Sequence, residues 1–448
     1  MTLLDEPSAI RRLHDRLGFG APGGPDGRGF DRVLADLLDP AAAAADPGVA
    51  ATPAPALGPP PVKPRKSDGP VDPDLTKRAG RELRAQQSAL VLWWLDRMAA
   101  ARTPTTERVT WFWHGHFATG AQKVRSPREM LAQNETQRRL GLGGFAELAQ
   151  AMIVDPAMLR WLDGGKNRVG AANENLAREF MELFALGVGH YSEDDVRESA
   201  RALTGWTVRP VSTAARFVPR RHDAGGKRIL GSSGAFDAPG FVTLVLDRPE
   251  SAAFVAGRLW FRLVSPAPPS AAALDRLVTA YGPGREVRSL LRAMVAEPAF
   301  RDGANALVKQ PVEWLVGLLR AVGARPGLLP PARGTQLVAG LRAMGQVPFA
   351  PPSVGGWSAG GGWLTTSAGL ARLHLARAVV GHGGTAGLGG PLGTVAAAST
   401  PNRPDAVREL LGVDAWTPRT RDALAGVADD AATLTAVAAC APEYVVSA

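Results

Sequence analysis

Cysteine is almost missing from this chain: Cys440 is the only one in 448 residues. No disulfide can therefore form within it, and Cys-type zinc sites and Cys-X-X-Cys redox chemistry are excluded. Tyrosine is scarce as well, three residues against eleven tryptophans, which points to an aromatic core that is largely dry. No run of about 18 apolar residues occurs, so a membrane-spanning helix is not expected. Met1 to Arg16 carries acids and early arginines where a secretory signal needs a positive end and an apolar run of about 7–15 residues, so a cytoplasmic location is expected. G-x-x-x-x-G-K-[ST] and H-E-x-x-H are absent too, which removes the phosphate loop and the zinc-protease helix.

Charge of one sign is in modest excess. The 51 Lys and Arg against 42 Asp and Glu give a net +9, but the arginines are scattered over helical segments instead of forming a tail or stripe. The only short cluster is Lys63, Arg65 and Lys66, inside a proline-rich stretch. Weak nucleic-acid binding is therefore a subsidiary reading.

What the chain does have is helical periodicity. With 45% hydrophobic residues it can bury a sizeable core, and apolar residues recur at helical spacing through most of its length. Leu83, Leu90, Val91, Trp93, Trp94, Leu95 and Met98 fit one long amphipathic helix over about 74–102, and shorter helices follow at about 105–117, 127–139, 144–154, 156–162, 173–187 and 193–204. The pattern resumes at about 249–264, 270–281, 286–297, 306–322, 332–344 and 366–380. The expected fold is mainly α: a large helical domain over 8–380 with a small β-hairpin excursion near 216–231. A Pro/Ala-rich linker or insertion occupies 40–72, a Gly/Ala-rich linker 381–399, and a short helical tail 400–448.

The densest polar segment runs from Asn173 to Gly189. On a helix, Leu176, Ala177, Phe180, Met181, Leu183 and Phe184 share one face, and Glu174, Asn175, Arg178, Glu179 and Glu182 the other. Ser192 then reads as an N-cap with Asp195 in the reciprocal position, and Gly205 as the stop of the following helix. The string from Asn173 to Trp206 resembles the signature of the DUF1800 family, bacterial proteins of unknown function. Other segments agree in order: Arg12 and Leu17-Gly18-Phe19-Gly20; Trp113-His114-Gly115-His116-Phe117; His222-Asp223 with Gly226-Lys227 and Leu230-Gly231; Lys309-Gln310-Pro311-Val312-Glu313; then Pro352, Val354, Gly356-Trp357 and Trp363. The resemblance spans about 10–378. It implies an amide between the two histidines where this chain has Gly115. It also implies a DUF1501 protein as a partner, because such genes often lie side by side, and export for many relatives.

The family brings no reaction, so the residues must be read on their own chemistry. His114 and His116 would share one face on a strand but diverge by about 200° on a helix, where only one could join a site. Their apolar neighbours favour burial and a lowered pKa; they are either bracing core histidines or, with Asn175 and Glu179, ligands of a divalent metal held between helices. Glu182 is either part of a solvated Glu174, Arg178, Glu182 ladder or a catalytic carboxylate. His222, Asp223 and Lys227 combine a base, its orienting carboxylate and a cation for acid–base work on a phosphate or carboxylate; equally, they are turn chemistry in a hairpin. Arg178 with Trp357 and Trp363 of the glycine loop are candidates for holding a substrate, or the two indoles simply tuck against the helices. His14, His190, His374 and His382 stand alone and are taken as structural or solvated. Three functions follow: an enzyme using this His/Glu/Asn set for hydrolysis or acid–base chemistry, a helical scaffold that docks a partner such as a DUF1501 protein, and weak nucleic-acid binding.

Overall fold

A computed structural model describes residues 3–20, 27–61, 72–209, 212–383 and 390–447. The chain is 63% helical, and its strands form three short antiparallel pairs. Trp206–Val208 pairs with Ala215–Phe217, Lys227–Ile229 with Ser232–Gly234, and Leu307–Val308 with Val446–Ser447. Among the described residues no helix is long and apolar enough to cross a membrane. The mainly α expectation, with a small β excursion, therefore holds.

The helices enclose two apolar cores. The first gathers Leu13, Phe145, Met152, Phe180, Phe241, Val245, Leu259 and Leu291, and the second Trp94, Met98, Trp314, Leu318, Leu341, Ala376 and Tyr444. The helix Thr105–His116 feeds both, sending Val109, Phe112 and Trp113 into the first and Trp111 into the second. A helix buried on every side has to find an internal partner for each polar side chain it carries. Glu107, 1% exposed, accepts from Trp94 Nε1 at 2.9 Å, Arg97 Nε at 2.8 Å and Arg138 at 2.7 and 3.0 Å. Burial alone would raise its carboxyl pKa, but the Arg138 and Arg97 guanidiniums outweigh it and hold the group at about 2.

Several elements depart from the sequence expectation. Residues 40–61 are packed against the body instead of free: Asp46 caps the helix Pro47–Ala50 and accepts the Thr103 N–H at 2.6 Å, and the Thr52 carbonyl accepts Trp93 Nε1 and Arg97 at 3.1 Å each. The rest of that stretch, 62–71 with Lys63, Arg65 and Lys66, lies outside the described residues, as does 384–389 of the second linker. The tail is not an appendage, because Leu410, Leu411, Trp416, Leu434 and Tyr444 enter the second core and the final strand pairs with Leu307–Val308. A helix that alternation does not announce spans Ala238–Leu246, started by Asp237, whose carboxylate accepts the Gly240 N–H at 2.9 Å. The segment expected to be helical at 173–187 is helical, but it widens from α-helix at Asn175–Glu179 to π-helix at Phe180–Ala185.

Replacing Glu107 with Ala leaves two guanidiniums and an indole N–H without their acceptor in the interior. Equilibrium denaturation of Glu107→Ala is expected to show a loss of about 3–5 kcal/mol, whereas Asp414→Ala, which breaks a pair at the surface, should change stability by less than about 1 kcal/mol.

Candidate functional site

His114 and His116 lie on a helix, and their rings go to different places. His114 Nε2 accepts the backbone N–H of Phe349 at 2.9 Å, and the ring is enclosed by Trp94, Trp111, Phe349 and Trp357. It braces the second core and fixes a loop residue whose φ is +65°. His116 Nε2 lies 2.7 Å from the Phe184 carbonyl, to which it donates; its Nδ1 is then a lone pair, and that atom is buried without a partner. Burial lowers both pKa values to about 3, and the nearby Arg258 guanidinium adds to the effect at His116.

Of the other expected site residues Trp357 packs on His114, with ring centroids 5.5 Å apart, and most of the polar ones are engaged with local partners. Glu182 accepts the Tyr191 hydroxyl at 2.9 Å, and burial followed by that carboxylate pushes the phenol up to about 12. Glu179 has a raised carboxyl pKa from partial burial and the charge of Glu182. Arg178 is held by Glu193 at 2.7 and 2.8 Å and Glu174 at 3.1 Å; of the expected Glu174, Arg178, Glu182 ladder the first rung forms, and Glu193 takes the place of Glu182. Asn175 is engaged locally, its N–H on Asn173 Oδ1 and its amide 3.5 Å from the Leu162 carbonyl. His222 Nδ1 sits 3.0 Å from the Thr204 carbonyl, Asp223 takes a forked pair from Arg201 at 2.8 and 3.1 Å, and Lys227 donates to the carbonyls of Asp223 and Gly225. The flanking strands Ala215–Phe217 and Lys227–Ile229 pair with other strands and not with each other, so this segment is a connection held by these bonds and not the turn of one hairpin. Among the described residues no group of three or more His, Cys, Asp or Glu side chains is arranged to hold a metal ion. The side chain of His382 lies outside the description.

A different set does come together, at the seam between the two cores. An outer chamber of about 50 Å³ is lined by Asp15, Arg16, Arg108, Arg262, Lys309, Gln310 and Glu313, and it is bordered by Ala359, Gly360 and Ser447. An inner chamber of about 20 Å³ shares Arg108, Arg262 and Gln310 with it and adds Trp111, Gly115, His116, Arg258 and Trp357. Five elements deliver these side chains: the helices Glu6–Arg16, Thr105–His116 and Pro249–Leu263, the start of Pro311–Ala321, and the loop carrying Trp357. Arg258 and Arg262 are one turn apart on the same helix face.

Charge in the cleft is unbalanced. Its lining holds five cations, Arg16, Arg108, Arg258, Arg262 and Lys309, against the carboxylates of Asp15 and Glu313. Those two are already taken, Asp15 by Lys309 at 3.3 Å and Glu313 by Arg108. Arg16 donates to the Asn305 and Ser447 carbonyls at 3.0 and 2.8 Å while its Nε and Nη1 have no partner. Arg262 reaches the carbonyls of Trp357 and Ser358 at 3.2 and 3.5 Å. Burial pulls the Arg16 and Arg262 pKa values down to about 9 and about 10, so both stay charged at neutral pH.

Trp357, one of the expected substrate-holding residues, is at the cleft: it stacks on Trp111 at 5.4 Å and 28°, with its indole N–H buried and unpartnered. Trp363 packs into the second core away from the cleft. The loop approaches closely because Gly356 has φ +79° and a Cβ there would stand 2.4 Å from the Gly115 carbonyl. Sequence reasoning missed Arg16, Arg108, Arg258 and Arg262. The usable signal was arginine at helical spacing inside otherwise apolar faces, as in Val255, Arg258, Leu259 and Arg262.

Compared with known proteins, residues 12–446 match the model of a family described as "Protein of unknown function (DUF1800)". No curated protein and no solved structure matches the chain. The match continues through the tail that packs into the second core.

The buried titratable groups set how stability varies with pH. His114 and His116 have pKa values lowered from 6.5 to about 3, so the stability they contribute is complete above pH 6.5 and is lost as pH falls toward 3. Asp155, raised by burial from 3.8 to about 7, acts oppositely: it favours folding below pH 3.8 and its contribution is lost as pH rises to 7. Between pH 4.5 and 6.5 two protons are taken up and one released on unfolding, so stability should rise by about 1.4 kcal/mol per pH unit. Denaturant titrations across that window should show about twice this slope for Asp155→Asn.

Proposed function

This chain belongs to the DUF1800 family, and because that membership carries no reaction we propose from its own residues that it binds a small oxyanion-bearing molecule in the seam cleft and acts on it by acid–base chemistry. The observation that carries this reading is the excess of five cations over two carboxylates in a narrow, partly open cleft. A buried guanidinium without a counter-charge is costly by several kcal/mol, and a bound anion removes that cost for Arg16, Arg258 and Arg262 together. Size fits as well: about 50 Å³, at about 10–15 Å³ per water, holds a few water-sized groups, the bulk of a carboxylate or phosphate head. His116 at the inner end has an unengaged Nδ1; a bound oxyanion offsets the Arg258 charge that, with burial, lowers the imidazole pKa to about 3, and so moves the ring toward the range of a proton acceptor. A cleft with room for only a few water-sized groups does not suit a nucleic-acid strand, whose phosphates need an extended basic track.

A second reading has an observation of its own. An apolar groove of about 850 Å³ on the tail, bordered by Ala423, Leu424, Val437, Cys440, Ala441 and Val446, suits docking of an apolar segment of a partner, for which a DUF1501 protein is the candidate. Ala423→Glu at its rim is expected to abolish co-purification with such a partner and to leave anion binding unchanged.

Thermal melting at constant ionic strength tests the first reading. Phosphate or acetate at 100 times its dissociation constant should stabilise the wild type by about 2.7 kcal/mol. Arg258→Met should melt higher than wild type without added anion, because an unpaired charge is gone, and should lose the anion response. A wild type that responds to no anion would end the reading.

A further inference from the structure

The inner chamber narrows the ligand further, an inference that rests on the oxyanion reading above. Its volume is about 20 Å³, room for one or two water-sized groups, which excludes rings and chains from that end. Its walls are the stacked indoles of Trp111 and Trp357, the His116 imidazole and the cations Arg258 and Arg262. The Nδ1 of His116 is an acceptor with no donor, because Nε2 spends its hydrogen on the Phe184 carbonyl at 2.7 Å. A group placed against that ring must therefore bring a hydrogen. An ammonium would bring one, but the Arg258 guanidinium that keeps His116 neutral repels it, and a keto oxygen brings none. A hydroxyl satisfies both conditions.

The space exists because residue 115 has no side chain. A Cβ built on Gly115 meets nothing closer than the Trp357 Cε3 at 4.0 Å, so a methyl group fits there without a clash and takes up the room a ligand atom would use. Gly115 has no requirement for a left-handed backbone, since its φ is not positive, and glycine is the weaker helix former in the middle of a buried helix. Neither backbone geometry nor helix stability calls for glycine at this position, and the open volume beside it is what its missing side chain provides.

From these observations we infer that the ligand is a short-chain hydroxycarboxylate: its carboxylate sits among Arg16, Lys309 and Arg262 in the outer chamber, its hydroxyl reaches His116 in the inner one, and Gly115 is the residue that sets this specificity. The hydroxyl donates to Nδ1 of His116, and the carboxylate supplies the negative charge that the arginines lack.

Calorimetric titration of the full-length protein with glycolate, acetate, glycine and inorganic phosphate tests this. Wild type should bind glycolate about tenfold more tightly than acetate, the scale on which a site with an unpaired polar group rejects an analogue lacking the matching hydroxyl, and glycine no better than acetate. Gly115→Ala should keep a melting temperature at or above that of wild type, bind acetate within about twofold of wild type, and lose the preference for glycolate. Equal binding of glycolate and acetate by wild type, or a preference that survives in Gly115→Ala, overturns the assignment. Tight binding of phosphate with no carboxylate preference overturns it too and leaves the oxyanion reading standing. If none of the three anions, glycolate, acetate and phosphate, binds the wild type, the oxyanion reading and this inference fall together.

Discussion

The helix Thr105–His116 is buried on all sides between two cores, and much of the rest of the molecule is arranged to make that burial tolerable. An α-helix satisfies its own backbone, but this one also carries Glu107, Arg108, His114 and His116 into the interior. Each must be met there, because an unmet charge or polar atom in low dielectric costs far more than a single apolar contact returns. Glu107 is met by two arginines and an indole, Arg108 by Glu313 and the Arg16 carbonyl, and His114 by the Phe349 N–H. The partners come from residues as distant as 16, 138, 313 and 349, so these pairs tie together segments that are remote in sequence.

The same helix explains why there is a cleft. Two cores packed against opposite faces leave a seam along its edge, and side chains at the seam are polar because neither core can take them. Arg258 and Arg262 project there from a helix whose other residues, Val255, Leu259 and Leu263, belong to the first core. A glycine loop closes the opening, approaching Gly115 so tightly that Gly356 can carry no side chain. Arg262 holds this loop through two of its carbonyls. The result is a narrow cleft rich in hydrogen-bond donors, with cations left uncompensated by protein carboxylates.

Much of the fold was legible because helical periodicity and capping are local. Ser192 and Asp195 form the reciprocal cap that their spacing indicates, and the long helix at Pro73–Ala100 lies where its apolar stripe places it. Residues 40–61 left linker and insertion open, and the tail read only as helical, for a shared reason: proline- and alanine-rich segments bury little surface of their own and become ordered only by packing on the body. The site was less legible. Glu182, His222 and Asp223 draw attention as chemically dense strings, and in the structure they make local bonds, Glu182 to Tyr191, His222 to Thr204 and Asp223 to Arg201. The cleft residues come from five regions, near 15, 110, 260, 310 and 357, and no local string marks them as neighbours.

The sequence by itself determined the helical class, the capping of its helices, the absence of cysteine chemistry and the diverging directions of His114 and His116 once they lie on a helix. These follow from spacing and composition, which act over a few residues. Tertiary structure decided which histidine was structural and which bordered a cavity, which arginines found carboxylates and which did not, and that the tail belongs to the second core. Those outcomes depend on which distant groups packing brings within a few ångströms, and pairing of buried charge is settled only at that distance.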